Sequence, residues 1–512
     1  MSPEFSAFAA TYEAGRPQCV WARRVADTET PVSAMLKAGL DDRASFLLES
    51  VEGGSVRGRY SMIGLHPDVL WRARGNRSEI ARDALNAPDS FEPCEGDALA
   101  NLRQLIDSCR MDVPEALPKA LSVLVGYMSY ETTTLVERLP DPKGSPLGLP
   151  DLFFLRPTVL LVFDRLKDEL FFIAPVYPDK EGYPGKLDAR AAYDQAIERL
   201  YGVMTQLAQP LPQAARAEAD LPDIEITPRL QPGAYQDMVL KAKDYIAAGD
   251  IFQVVLAQRF TSPFELPPFE LYRALRRINP SPFLYFLNLP GFSVIGSSPE
   301  ILVRVRDGDV TIRPIAGTRP RGKTAEEDEA NRESLLADPK ELSEHLMLLD
   351  LGRNDVGRVS TPGTVKVTDR FFVEMYSHVM HIVSNVRGRL DPKHDAVDAL
   401  MAGFPAGTVS GAPKIRAMEI INELEPEARG PYAGGVGYFS ADGSMDSCIV
   451  LRTAIVKDGV MHVQSGAGIV ADSDPAYEQR ECEAKAGALF AAAREAVRLA
   501  RASSNNQLKI QP

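Results

Sequence analysis

A proline-rich stretch over residues 206–233 constrains the fold most, because it separates two long runs of strand-like and helix-like sequence. The stretch holds five prolines and few bulky apolar residues. Proline fixes the backbone and removes a hydrogen-bond donor, so this composition favours a connector. We predict an N-terminal region of residues 1–205, a linker over 206–233 with a boundary near Leu230, a second region of 234–500 and a tail of 501–512. The alternative is a long surface loop inside one domain.

The predicted strands come in hairpins, and the predicted helices stand apart from them. Two apolar runs, TVLLVFD and ELFFIAP, flank the turn-like RLKD, and IFQVVLAQRF resembles a buried strand. Helices are predicted at about 188–207, 235–248, 326–336, 340–349, 395–401, 413–423 and 475–502. Hairpins with separate helices indicate an α+β fold rather than a regular βαβ repeat. The 512 residues exceed one ordinary core.

Charge and cysteine content exclude several classes of protein. The net charge of −13 argues against a basic nucleic-acid surface. The N-terminus lacks a signal peptide pattern, and no apolar run has the length of a membrane helix, so we expect no membrane partner. The five cysteines are odd in number and none forms Cys-x-x-Cys, which fits a reducing cytoplasm rather than disulfides or a thiolate zinc site.

Two predicted helices each carry a pair of glutamates three residues apart. Glu341 and Glu344 share one helix face, and Glu478 and Glu481 repeat the arrangement near the C-terminus. Carboxylate oxygens completed by water favour Mg²⁺, so the two pairs could converge on one cation. Solvated helix faces are the simpler interpretation of such spacing. No second histidine stands at zinc-ligand spacing from His345.

Glycine-rich turns and one arginine in an apolar run suggest an anionic ligand. PIAGTRPRG, AGTVSGAPK, YAGGVGYF and QSGAGIV would let the backbone approach an anion, although each is also compatible with an ordinary hairpin turn. None fits a Walker or dinucleotide fingerprint. Arg452 lies in the apolar CIVLRTAI, where a guanidinium requires a partner. That partner could be a protein carboxylate or a substrate acid.

Taken together, the motifs resemble the chorismate-utilising enzymes, and within that family the anthranilate synthase component I branch. The strings that carry the resemblance run in order over about residues 234–490: PIAGTRPRG, ELSEHLMLLDLGRND, SHVMHIVSNVRG, GTVSGAPKIRAMEII, RGPYAGGVGYF, DSCIVLRTAI and QSGAGIV. The N-terminal match is sparser and consists of SFLLESVEGG and RYSMIG. The resemblance implies a four-layer α/β/β/α sandwich with the active site in a cleft between the sheets and an N-terminal regulatory region packed on it.

The resemblance also implies ligands for a metal and for the substrate. Mg²⁺ would be held by Glu344 and Glu481 and would grip the ring carboxylate of chorismate, with Glu341 and Glu478 nearby. Lys485 lies one helical turn after Glu481 and would complement that carboxylate. Positions matching substrate contacts are Arg452 and Tyr432 for the enolpyruvyl carboxylate, and Gly317, Thr318, Gly466, Ala467 and Gly468 for the backbone contacts.

Three side chains match catalytic positions of the family. Ammonia would add at ring carbon C2 while the C4 hydroxyl leaves, and a poor leaving group requires a general acid. Glu300 in GSSPE matches that acid, so we expect a raised pKa. His381 in VMHIVS matches a histidine of the later pyruvate elimination, and Thr408 matches a residue near the ring.

Two positions distinguish this chain from relatives with other reactions. Water-adding relatives carry a lysine base where this chain has Gln253, and the para-aminobenzoate branch carries a nucleophilic lysine where this chain has Ala316. Neither residue can replace a lysine in those roles. The resemblance therefore implies that ammonia is the nucleophile and anthranilate the product, at the first step of tryptophan biosynthesis. An enzyme that stops at aminodeoxyisochorismate, a water-adding synthase and a non-catalytic regulatory protein are the alternatives.

The N-terminal match implies feedback inhibition by tryptophan. Ser50 matches a tryptophan-binding position, as do Pro282, Phe283 and Leu284 in NPSPFLYF. The family often has Tyr-Met at the last two positions, so the resemblance does not predict how tightly this chain binds tryptophan.

No cysteine lies in a Gly-x-Cys-x-Gly context, so we expect ammonia from a separate glutamine amidotransferase subunit, component II, in a heterotetramer of two large and two small subunits.

Overall fold

A computed structural model describes residues 1–41, 43–52, 56–119, 121–178, 187–212, 221–376 and 379–508. The helices in this part of the chain are α1 (Phe5–Glu13), α2 (Pro31–Ala38), α3 (Ala98–Ser108), α4 (Ala189–Leu207), α5 (Ala234–Ala247), α6 (Pro268–Ile278), α7 (Ala325–Ala337), α8 (Pro339–Gly357), α9 (Ala396–Ala402), α10 (Lys414–Leu424) and α11 (Pro475–Leu508). Each of the helices predicted from the sequence corresponds to one of these, and α8 and α11 run further than predicted.

The strands of the N-terminal half are β1 (Gln18–Val25), β2 (Ser45–Glu52), β3 (Val56–Arg74), β4 (Arg77–Ala81), β5 (Glu92–Pro93), β6 (Ser122–Met128), β7 (Leu152–Asp164), β8 (Glu169–Val176) and β9 (Thr227–Pro228). Those of the C-terminal half are β10 (Gln253–Pro263), β11 (Phe283–Leu289), β12 (Phe292–Ser298), β13 (Ile301–Arg306), β14 (Asp309–Ile312), β15 (Ile315–Pro320), β16 (Lys366–Met375), β17 (Val379–Arg389), β18 (Gly411–Ala412), β19 (Gly435–Ser440), β20 (Met445–Ile449), β21 (Thr453–Lys457) and β22 (Val460–Ile469). Antiparallel pairing joins them into one connected sheet system, which confirms the α+β prediction.

The sequence of strand β7 is almost continuously apolar because both faces of the strand are buried. Leu160 and Val162 pack into one large core, whereas Leu161 and Phe163 pack into a second core on the other face. Successive side chains of a strand point to opposite faces, so a strand covered on both sides requires apolar residues at every position. The second core is closed by helices α1, α4, α6 and α11, which contribute many of its buried residues.

Strands of the two predicted regions pair directly with each other. Strand β2 pairs with β11, and β6 pairs with β19, both antiparallel. The N-terminal half therefore contributes strands to the same sheet system as the C-terminal half. Residues 213–220 of the predicted linker lie outside the described residues, and the division at the linker stays a prediction.

Helix α8 begins at a well-formed cap that orients its glutamates. Asp338 precedes the helix and its carboxylate accepts from the backbone amides of Lys340 and Glu341, at 3.0 and 3.4 Å. Pro339 occupies the first turn, where its missing amide costs nothing. Such a cap fixes where the helix starts, and so which residues face the sheet. Across the described residues, no helix has the length and apolar character that crossing a bilayer demands.

Candidate active site

Glu300 lies buried in the two-residue connection between β12 and β13. The hydroxyl of Thr408 donates to its Oε1 at 3.3 Å from the short 3₁₀ helix Gly407–Val409. Burial raises the pKa of Glu300 to about 8, and hydrogen bonds from Thr408 and from the amide of Ile315 only partly oppose this. A carboxyl group in this environment keeps its proton at neutral pH, as a general acid must.

His381 is oriented by a bulge in the neighbouring strand. The pairing of β15 with β17 shifts register between Ala316 and Thr318, which leaves Gly317 as the extra residue at φ +73°. The carbonyl of Gly317 lies 2.9 Å from His381 Nδ1, so this nitrogen carries the proton and donates. Burial lowers the pKa of His381, and Arg452 contributes to the shift, so the ring is neutral with Nε2 unprotonated.

Tyr376 is a site residue that the sequence analysis missed. Its ring meets the His381 imidazole edge to face, with centroids 5.3 Å apart, and its hydroxyl donates to Glu374 at 2.9 Å. Burial raises the pKa of Tyr376, and the acidic side chains of Glu374 and Glu300 nearby raise it further. The tyrosine therefore joins the acid and the histidine in one cluster. Only its place directly before the SHVMHIVS string could have indicated it.

Arg452 has no carboxylate partner within the described residues, which bears on the question left open by the sequence. Burial lowers the pKa of its guanidinium, and among the described residues Tyr376 opposes the shift. Its backbone adopts φ +48°, in the left-handed region that residues other than glycine seldom occupy. A half-buried cation without a carboxylate partner in the described part of the chain favours the second of the two open alternatives, a substrate acid.

Residues 466–468 of β22 line the site beside Tyr432 and Gln253. A Cβ on Gly466 would lie 2.9 Å from the Tyr432 hydroxyl, and one on Gly468 would lie 2.4 Å from Gln253 Nε2. Ala467 between them is buried and pairs with Leu256 of β10. A Cβ at position 466 would also meet the backbone carbonyl of Leu256 at 2.7 Å, which requires glycine there, whereas the end of the Gln253 side chain fills the space beside Gly468.

Gln253 links this strand to the acidic rim of the site. Burial raises the pKa of Glu344, and a hydrogen bond from the Gln253 side chain partly opposes this rise. Gln253 Oε1 is buried and has no hydrogen-bond partner within the described part of the chain. Ala316, the other residue that distinguishes the branch, is buried at the β15 bulge and offers no nucleophile.

The glutamates of α8 and α11 form the rim, and they share two cationic neighbours. Burial raises the pKa of Glu344, and Glu341 adds to the shift; burial also raises the pKa of Glu478, and Glu481 adds to it. The same ammonium groups, Lys340 and Lys485, lower both pKa values, so the two helices present their carboxylates to a common region.

Two of the rim carboxylates form salt bridges with basic side chains. Lys485 Nζ lies 2.7 Å from Glu481 and 3.0 Å from the carbonyl of Gly466. Arg319 binds Glu341 at 3.0 Å. Among the described residues, no three acidic, histidine or cysteine side chains are grouped closely enough to hold a metal ion. Two carboxylates with water and ligand oxygens at the other positions nevertheless suit Mg²⁺, so the donor chemistry of Glu344 and Glu481 fits.

Strands β2 and β11 bring together residues matched to a tryptophan site, and Phe283 of β11 pairs with Ser298 at the end of β12. Ser50 follows Glu49 in β2, and Glu49 stands opposite Leu284 of β11. A Cβ on Gly58 would lie 1.7 Å from Ser50 Oγ, so the serine fills the space beside that glycine. Phe283 is half-buried and begins β11, directly after Pro282.

Known relatives agree with the motif analysis. A family model described as chorismate binding enzyme matches residues 48–491. A protein named anthranilate synthase component 1 from Cereibacter sphaeroides is 52% identical over 502 residues, which covers 98% of this chain and 99% of that protein. A protein of the same name from Pseudomonas putida is 46% identical and covers 91% and 93% of the two chains.

Solved structures have the same architecture. The crystal structure of anthranilate synthase component I from Streptococcus pneumoniae matches with a TM-score of 0.73 at 36% identity, over 85% of this chain and 92% of that one. The menaquinone-specific isochorismate synthase from Escherichia coli matches with a TM-score of 0.68 at 19% identity and covers 95% of this chain and 99% of that one. At this identity the match supports the fold alone. The chain belongs to the chorismate binding enzymes, within the family of anthranilate synthase component 1.

Proposed function

We propose that the chain converts chorismate and ammonia to anthranilate and pyruvate, by way of 2-amino-2-deoxyisochorismate. The observation that carries this proposal is a buried proton donor, Glu300, in a site that lacks a lysine at both distinguishing positions. Gln253 cannot deprotonate water and Ala316 cannot form a covalent intermediate. The relatives named anthranilate synthase component 1, which match nearly the full chain, support the same reaction.

In the first stage, ammonia forms a bond to C2, the ring double bonds shift, and the bond from C4 to its hydroxyl breaks. Glu300 gives its proton to the departing hydroxyl, which leaves as water, and the new ammonium group loses a proton. The pKa of about 8 keeps Glu300 protonated before the reaction. The free Oε1 of Gln253 is an acceptor suited to an N–H of the incoming ammonia.

In the second stage, the proton on C2 leaves, the ring becomes aromatic, and pyruvate departs with the enolpyruvyl oxygen. His381 is the candidate base, because its Nδ1 is committed to Gly317 and its neutral ring leaves Nε2 able to accept a proton. Arg452 would pair with the enolpyruvyl carboxylate beside Tyr432. The intact cluster of His381, Tyr376 and Thr318 favours completion of the reaction over release of the aminated intermediate.

Mg²⁺ is proposed as the cofactor, held by Glu344 and Glu481. When bound, it would supply positive charge to the ring carboxylate of chorismate. The support is the excess of carboxylates at this rim, where burial and neighbouring glutamates raise the pKa values of Glu344 and Glu478. Lys485 and the Gly466 carbonyl keep Glu481 directed toward the substrate strand.

Ammonia would come from a separate glutamine amidotransferase subunit, component II, in a heterotetramer of two large and two small chains. Glutamine hydrolysis needs an ionised cysteine. Burial raises the pKa of Cys19 and Cys482 to about 12 and also raises those of Cys109 and Cys448.

Tryptophan is proposed as a feedback inhibitor that binds near Ser50, Pro282, Phe283 and Leu284, because β2 and β11 bring these positions together.

The purified chain, incubated with chorismate, Mg²⁺ and ammonium, tests the proposal by fluorescence and mass of the product. We expect anthranilate and pyruvate in equal amounts, and no anthranilate when glutamine replaces ammonium. Accumulation of the aminated intermediate would favour aminodeoxyisochorismate synthase, and formation of isochorismate without nitrogen would overturn ammonia as the nucleophile.

A further inference from the structure

Strand β10 has one edge on which side chains fill a gap between two short partner strands. Its first edge pairs with β22 from Val254 to Pro263. On the second edge, β18 pairs with the start of the strand and β9 with its later part. The carbonyl of Val255 and the amide of Ala257 lie between these two short partners. Buried backbone groups of this kind require hydrogen bonds from elsewhere.

Arg429 and Glu425 supply those hydrogen bonds. Arg429 Nη2 donates to the Val255 carbonyl at 2.7 Å, and Glu425 Oε1 accepts from the Ala257 amide at 2.8 Å. The two side chains also bind each other in bidentate fashion, at 2.9 and 2.5 Å. Arg429 is 2% and Glu425 3% exposed, so the pair is withdrawn from water and held by several partners.

The same guanidinium reaches the part of the site that holds the acid. Arg429 Nη1 donates to the Val409 carbonyl at 2.7 Å, one residue after Thr408. Thr408 in turn donates to Glu300. The guanidinium also lies over the ring of Tyr432, 5.6 Å from its centroid. One buried group thus touches β10, the 3₁₀ turn of Thr408 and Tyr432.

The backbone of Arg429 is anchored by the N-terminal half of the chain. Glu131 accepts from the amide of Arg429 at 2.7 Å and from that of Gly430 at 3.0 Å. The Tyr130 ring lies under the guanidinium, 4.6 Å from its carbon. These contacts hold Arg429 in one place, so it can act as a fixed support for the groups it binds.

We propose that Arg429, paired with Glu425, is a positioning residue of the active site: it holds the Thr408 turn against Glu300 and keeps β10, with Gln253, in place beside β22. The turnover test of this inference rests on the proposed function. Neither residue contacts the reacting atoms; the effect passes through the Val409 carbonyl and the hydroxyl of Thr408. Because that hydroxyl lowers the pKa of Glu300, loss of its alignment must move the titration of the acid upward.

Arg429→Lys tests the proposal, because a single ammonium cannot bind Glu425, Val255 and Val409 with the geometry of a guanidinium. We expect kcat to fall about tenfold, equivalent to about 1.4 kcal/mol of barrier, with a smaller change in KM. The alkaline limb of the pH profile, which is the decline of kcat/KM as pH rises, should move to higher pH. Thr408→Val should cause the same shift, and the double variant no further shift, as expected for two residues that act through one hydrogen bond.

Arg156→Lys is the matched control. Arg156 is also 2% exposed and binds Asp68 in bidentate fashion, at 2.8 and 2.7 Å, but it lies on β7. We expect it to lower thermal stability without moving the alkaline limb. An equal shift in Arg156→Lys, an unchanged limb in Arg429→Lys, or additive shifts in the double variant would overturn the proposal.

Two further measurements separate the possible failures. If Arg429→Lys does not fold, Glu425→Gln keeps an acceptor for Ala257 while weakening the pair, and it should show the same shift at smaller size. If the wild-type chain makes no anthranilate, the proposed function fails, whereas the inference is still measured by infrared titration of the Glu300 carboxyl, assigned with Glu300→Gln. An infrared titration of Glu300 that is identical in wild type and Arg429→Lys would overturn the inference alone.

Discussion

Glu300 and Glu344 are both carboxyl groups with raised pKa values, but their surroundings differ. For Glu300 the cause is burial, and only hydrogen bonds from Thr408 and Ile315 oppose it. For Glu344 burial is joined by repulsion from Glu341 and opposed by Gln253 and two lysines. The first environment keeps a proton on the acid. The second environment has more acidic than basic groups, and a bound cation would reduce the repulsion between the carboxylates. The raised pKa therefore suits Glu300 to the role of proton donor, whereas at Glu344 it indicates a candidate cation ligand.

The largest expected effect comes from replacing the proton donor. Glu300→Gln keeps the shape but removes the acid, so kcat should fall by about 10²–10⁴-fold. The rate of anthranilate fluorescence measures this, and binding of chorismate by calorimetry serves as the control for an intact site. A loss of less than tenfold would place the general acid elsewhere and end the distinction between the two carboxyls.

Glu344→Gln tests the other member of the comparison. We expect the Mg²⁺ concentration for half-maximal turnover to rise by at least about 10–100-fold, the loss that even outer-shell partners of a metal cause. At Mg²⁺ concentrations that saturate the wild type, turnover should be lost while the circular dichroism spectrum is unchanged. Glu333→Gln, on the exposed face of α7, is the control substitution. Equal Mg²⁺ dependence in wild type and Glu344→Gln would remove this glutamate from the metal site.

The pH dependence should reveal the acid. Because Glu300 must be protonated, kcat/KM should decline as pH rises through about 8. The same group affects stability: a folded-state pKa above the ordinary value means that the folded state holds the proton more tightly. Its contribution is therefore present at low pH and lost as pH rises toward 8, with a slope of at most about 1.4 kcal/mol per pH unit. Glu300→Gln, compared by denaturant unfolding across this window, should lack that slope. The two proteins would have parallel stability profiles if burial did not raise the pKa.

The smallest effect on catalysis is expected at the residues matched to the inhibitor site. Ser50→Phe should abolish inhibition by tryptophan and leave kcat within about twofold, because Ser50 lies on β2 and supplies none of the groups proposed for the reaction. Initial rates with and without tryptophan measure this. Inhibition of the variant equal to that of the wild type would refute a tryptophan site at this position.

The sequence predicted local elements well and the contacts between them less well. The sequence pattern predicted α8 and α11, and the motif strings indicated Glu300, His381 and Arg452 as candidate site residues. Tyr376 was missed because a tyrosine next to a motif has many possible environments. Arg429 was quoted only as part of a string, since its partners Val255 and Val409 are backbone groups far away in the chain.

Composition, periodicity and motif order by themselves determined the α+β class, the family and the residue types available for chemistry, because these follow from the identity of side chains and from local spacing. Only the tertiary structure decided which charges are paired. Arg452 lacks a protein carboxylate within the described residues, and Glu481 is held by Lys485. The gap between β18 and β9 on the edge of β10 is filled by Arg429 and Glu425. Burial and charge pairing depend on residues brought together from distant parts of the chain, and they set the pKa values on which the proposed chemistry depends.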